Sequence, residues 1–210
     1  MPMRKGSENK LLDAVDDLMF TSGIEATSVD AVLARAGVSA ATLYRGFRSK
    51  EALVAAALER RQQRWQQVWD DAIDAARSDE ERLLAVFDAS DTFADTPHGR
   101  RWCAFLGAAA EYAHPTAEIA AAINRDTDHL RHTLRRLAQQ LPCPDPDGLA
   151  EAVLTVFTGQ LAMQLRGGPR DRAGMGRQIA ETVVSAAVLS GVRLECAGLC
   201  PVRADGHDFS

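Results

Sequence analysis

A chain of 210 residues, 46% hydrophobic and 25% charged, is long enough to bury a sizeable core and fits one large or two small domains. A net charge of -5 argues against a protein that coats nucleic acid by general positive charge. That charge is uneven. Residues 1–64 hold ten Lys/Arg against eight Asp/Glu, net +2, and the remainder is net -7. A weakly basic front on an acidic body suits a protein whose first part alone meets phosphate.

The start, MPMRKGSENK, lacks the apolar core of a secretory signal. No apolar run approaches the roughly 18 residues of a membrane span. Four cysteines, Cys103, Cys143, Cys196 and Cys200, do not suggest a disulfide framework. A cytoplasmic location is expected, with no membrane contact. Abundant Ala, Leu, Arg, Gln and Glu with few aromatics favour helix, and the fold expected is all-α.

The first predicted helix runs from about Ser7 to Ser22, with Leu11, Leu12, Val15, Leu18 and Met19 on one face, and Gly23 ends it. Thr27 reads as the cap of a second helix, with Asp30 completing a capping box and Val29, Val32 and Leu33 facing inward. Gly37 supplies the residue able to take positive φ in the turn that follows. Ser39 caps a third helix, whose Leu43 and Phe47 point inward four residues apart. Ser49 caps a fourth, which meets no Gly or Pro for more than 25 residues and reads as a connector. Further helices are expected over Glu80–Ala94, Gly99–Ala113, Thr116–Leu141, Asp147–Arg166 and Gly174–Val192. Gly- and Pro-containing breaks separate them. Residues 196–210 read as a loose tail.

Two helices joined by a glycine turn, with a third helix starting directly after, are the layout of a helix-turn-helix, whose second helix enters the major groove. The carrying residues are Phe20-Thr21-Ser22-Gly23, Ala26 to Val32, Ala36-Gly37-Val38-Ser39 and Thr42 to Leu53. On these the chain resembles the TetR family of bacterial one-component transcriptional regulators. The resemblance covers under a third of the chain. Trp102 to Glu111 is a weaker likeness to some members' ligand domains. Gly46 departs from the pattern, since a larger residue, often His, is common there.

The resemblance implies a helix-turn-helix domain over residues 1–65, a helical ligand-binding and dimerisation domain over 66–195, and the tail. It implies that Thr27 or Ser28, Tyr44 and Lys50 meet phosphate, with Arg48 and the arm residues Arg4 and Lys5 as further contacts. Ser39 to Thr42 lie at the start of the reading helix. Thr42 and Arg45 are the candidates for base readout, Arg45 being able to pair bidentately with guanine, and Ala40 and Ala41 are placed for thymine methyls.

It further implies a homodimer in which the last two long helices of each subunit form a four-helix bundle. The two reading helices would then lie about 34–36 Å apart on a palindromic double-stranded operator. Candidates for lining a small-molecule effector pocket are Trp65, Trp69, Phe87, Phe93, Trp102, Phe105, Leu106, Tyr112, Phe157 and Met163. The expected function is a transcriptional repressor released from its operator by such an effector. The competing readings are a DNA-binding protein whose body takes a protein partner, and an all-helical enzyme or carrier.

Other constellations carry less. Asp126, His129 and His132 recur at helical spacing, but their arginine-rich neighbourhood reads as a solvated face and not as a metal site. Cys196 and Cys200 lack a second ligand pair, and Cys103 beside Trp102 reads as buried filler. No pattern of catalytic residues or cofactor-binding glycines is present, so no enzyme activity, cofactor or metal is expected.

Overall fold

The computed structural model describes residues 3–96, 99, 103–166 and 174–198, and among them the chain forms nine helices and no strand. They are α1 (Lys5–Ser22), α2 (Val29–Ala36), α3 (Ala40–Gly46), α4 (Lys50–Ala75), α5 (Asp79–Ala94), α6 (Ala104–Glu111), α7 (Ala117–Ala138), α8 (Pro146–Leu165) and α9 (Met175–Gly198). The expected all-α architecture is the observed one.

Local chemistry sets most of the ends. Ser39, Ser49, Ser78, Thr116 and Asp145 each cap the helix that follows by accepting the backbone N–H three residues on. Pro146 stands where a missing N–H costs nothing. Gly37 is left-handed at φ +62° and closes α2, its N–H reaching the carbonyls of Leu33 and Ala34.

Three expectations need correction. Ser28, not Thr27, caps α2 by accepting from the Ala31 N–H. The Thr27 hydroxyl turns inward and donates to the Gly23 carbonyl at 2.8 Å, which leaves the next hydroxyl to do the capping. Second, α6 is shorter than the expected Gly99–Ala113. Cys103 is still extended before it, and Tyr112 leaves helical geometry two residues ahead of the His114-Pro115 break. Third, α9 continues past Val192 to Gly198, because Arg193 to Ala197 contains no breaker. The tail expected from 196 therefore starts inside a helix, and residues 199–210 lie outside the described residues.

The apolar side chains gather into two cores. The first joins α1, α2, α3 and the front of α4, through Leu11, Val15, Met19, Val32, Leu43, Phe47 and Leu58. It also takes Ala104, Phe105 and Ala108 from α6 and Ile119 and Ala122 from the first turns of α7. Helices α1 to α3 and the front of α4 thus form a head whose core is completed by a segment some 45 residues further along. The second core joins the rear of α4 to α5, α7, α8 and α9, around Trp65, Trp69, Phe87, Leu134, Val153 and Phe157.

Between the cores runs a polar seam. On α4, buried Arg61 and Gln62 separate Leu58 of the first core from Trp65 of the second. On α7, buried Asp126 separates Ile123, packed on the first core, from Leu130, packed on the second. Charged groups are rarely buried without a reason, and these sit where the head meets the body.

Candidate nucleic-acid interface

The short α3 has one inward side and one outward side. Leu43 and Phe47 are buried and anchor it. Ser39, Ala40, Ala41, Tyr44 and Arg45 are exposed, and Thr42 is partly so. The exposed residues form a connected row. The Ser39 and Thr42 hydroxyls lie 3.0 Å apart, and Arg45 donates from Nη2 to the Thr42 hydroxyl at 3.0 Å and from Nε to the Ala41 carbonyl at 3.1 Å. Arg45 is therefore laid along the helix surface beside Thr42, so two polar groups reach the same patch of any surface docked there. Tyr44 leaves 58% of its surface open, unusual for an aromatic in a small domain, with its hydroxyl free to donate or accept.

Flanking groups extend the patch. Ser28 is exposed at the start of α2, where unpaired backbone N–H groups favour an anion. Lys50 opens α4, and Arg48 projects from the turn before it with 80% of its side chain exposed and an ion pair to Glu118 of α7. Arg4 and Lys5 are exposed at the start of α1. Thr27 is the exception among the expected phosphate contacts, being buried as described. Gly46 has a local reason: the Met3 side chain lies over it, where a Cβ would stand, so the arm packs into the space a larger residue would fill.

Behind the patch, Asp16 of α1 anchors the head to α4. Its carboxylate lies 2.7 Å from Arg60, 3.4 Å from Arg64 and 3.9 Å from Arg61. Asp13 adds a second bridge to Arg60 at 2.8 Å. The Arg61 guanidinium lies over the Phe20 ring of the head and the Phe93 ring of the body, at 5.7 and 5.3 Å from their centroids. Burial pulls its pKa down, and the Asp16 charge pushes back. This hub was not visible in the sequence, where Asp16 reads as one more acidic residue on the first helix.

The pocket candidates divide. Trp65, Trp69, Phe87, Phe93 and Phe157 pack on one another, with ring centroids 5.6–6.1 Å apart. Phe105 belongs to the head's core, and Tyr112 packs against it. Leu106 is partly buried, Met163 is exposed, and Trp102 lies outside the described residues. Two shallow depressions on the surface are lined by none of these ten. The solvated face expected at Asp126, His129 and His132 holds for His132 but not for the other two. Asp126 is buried, and His129 is half-buried with its ring edge-on to Trp69. Helix α7 packs against α4, α5, α6 and α8, and so buries a wide face. Half-buried Cys103 has its thiol pushed up to about 11, by burial first and then by the Asp126 charge. Cys200 lies outside the described residues.

Residues 11–57, which include the whole of α2 and α3, match the family model described as bacterial regulatory proteins of the tetR family. This part of the chain carries the TetR-family signature. A TetR-family transcriptional regulator from Streptomyces coelicolor superposes with a TM-score of 0.79 at 23% identity, covering 88% of this chain and 97% of its own. A putative TetR transcriptional regulator from Streptomyces avermitilis gives 0.72 at 28% identity over 86% and 97%. One from Chloroflexus aurantiacus gives 0.74 at 21% over 89% and 98%. No match was found among curated proteins. The family match over α2 and α3 and the shared fold support a role in DNA-binding transcription regulation. No helix among the described residues is long and apolar enough to cross a membrane.

Proposed function

We propose that this TetR-family chain is a homodimeric repressor that reads a palindromic operator with α3 and is released from it by a small molecule bound in the body. The observation that carries the reading is the exposed row of Ser39, Thr42 and Arg45, with Tyr44 beside it, on a helix anchored by Leu43 and Phe47. Thr42 and Arg45 read bases. Tyr44, Ser28, Lys50 and Arg48 position the head on phosphates.

Dimerisation is supported by α9. Met175, Ile179, Thr182, Ala186 and Leu189 recur at alternating steps of four and three residues, and all are exposed. That is the spacing of a helix seam awaiting another helix. Met163 adds an exposed apolar group from neighbouring α8. Sedimentation at micromolar concentration is expected to give a single dimeric species, and monomers alone would overturn this assignment.

Ligand binding in the body is supported by polar groups left over among apolar ones. The Trp69 indole N–H and both amide atoms of Gln160 are buried without a hydrogen-bond partner among the described residues. Buried polar atoms are almost always paired, so these are groups that a bound molecule would satisfy.

The test of the DNA reading is selection of bound duplexes from a random pool, followed by titration of Arg45→Ala. The substitution is expected to cost about 1–3 kcal/mol of specific binding and to relax one base position in each half-site. Unchanged operator preference would remove Arg45 from base readout.

A further inference from the structure

The reading head is gripped at its first and last turns by carboxylates from the corner that joins α6 to α7. Glu111, the last residue of α6, accepts the Glu25 backbone N–H at 2.9 Å and lies against Gly23, in the turn between α1 and α2. Glu118, in the first turn of α7, pairs with Arg48, in the turn between α3 and α4. Between them Tyr112 packs on the head's core, its hydroxyl pushed up to about 12 by burial and by Glu51, Glu111 and Glu25. Ile119 and Ala122 enter the same core. One stretch of 12 residues, from Glu111 to Ala122, thus touches both ends of the helix-turn-helix as well as its interior.

The two carboxylates differ in what they hold. Glu111 holds backbone, and nothing that binds DNA competes for it. Glu118 holds Arg48, a cation next to Lys50 on the side the head turns to DNA. A phosphate arriving at Arg48 meets a guanidinium already paired and a second negative charge beside it. An exposed pair of this kind is worth little in isolation, but like-charge repulsion at a phosphate contact adds to it.

Resting on the reading of α3 and its flanks as the DNA face, we propose that Glu118 is a built-in antagonist of DNA binding. The body holds Arg48 through Glu118 and releases it when phosphate takes its place. Any displacement of the α6–α7 corner then changes the number of cations the head offers to DNA, in addition to its angle.

The experiment is DNA titration of the full-length chain across a range of salt concentrations, with Glu118→Gln, Arg48→Ala and the double variant. Glu118→Gln is expected to tighten binding roughly threefold or more, and to steepen the plot of log affinity against log salt, because salt no longer weakens an opposing Glu118–Arg48 pair. Arg48→Ala removes both gains in the double variant. Affinity and slope unchanged by Glu118→Gln overturn the proposal, and so does a gain that survives Arg48→Ala. Lys50→Ala serves as the control for the underlying reading. If it leaves binding intact, the DNA face itself is misplaced, a different failure from that of Glu118.

Discussion

Asp126→Asn is expected to raise stability at pH 8 by on the order of 4 kcal/mol and to leave it nearly unchanged at pH 4. Asp126 is 6% exposed in the seam between the two cores, and burial pushes its pKa from the ordinary 3.8 to about 7. Because the folded value lies above the unfolded one, the folded protein holds the proton more tightly at intermediate pH. The neutral acid is accommodated at low pH, and that stability is lost as pH rises from about 4 through about 7. Asparagine is neutral throughout and escapes the loss. Half-buried His129, one turn along α7, offers no fixed positive charge in compensation, since burial pushes it toward its neutral form. In thermal melts the gap between variant and parent should open with pH, reaching about 10 °C by pH 8. A gap of constant size from pH 4 to pH 8 would mean that Asp126 does not titrate in the fold.

The second large effect has the opposite sign. Asp16→Asn should destabilise the protein by about 3–5 kcal/mol at neutral pH. Its carboxylate is 4% exposed and lies within 4 Å of Arg60, Arg61 and Arg64. Removing the one charge that these share leaves positive charge crowded in a site with little water to screen it. The ion pairs of Arg131 with Glu151 and Arg135 with Asp147 are half-exposed, at 3.4 and 3.6 Å, and each is worth at most about 1 kcal/mol. Urea denaturation separates the cases. A loss below about 1 kcal/mol would place Asp16 with these surface pairs. Because the hub ties α1 to α4, the same variant should weaken DNA binding at temperatures where it is still folded.

The head was readable from sequence because its signals are local. Ser39, Gly37 and Ser49 act on backbone within three or four residues of themselves, and the chain obeys them. Thr27 and Ser28 show where local reading stops. Both carry a hydroxyl suited to a cap, and packing against the Gly23 carbonyl decides between them. The body's aromatics were legible as buried, but apolar spacing reveals burial and says nothing of cavities. Asp126 looked solvated because nothing near it in sequence announces that α7 packs against four other helices. Glu111 lies 86 residues from Glu25, too far apart in sequence for any motif to join them.

The seam also sets a mechanical ratio. Helix α4 crosses it at Gln62, and the 12 residues from there to Lys50 span about 18 Å. A tilt of about 5° at that pivot carries Lys50 through about 1.6 Å over such a length. Hydrogen bonds to phosphate tolerate only about 0.5 Å in length. On the proposed reading of Lys50 as a phosphate contact, a tilt slight enough to leave both apolar cores packed suffices to make or break that contact.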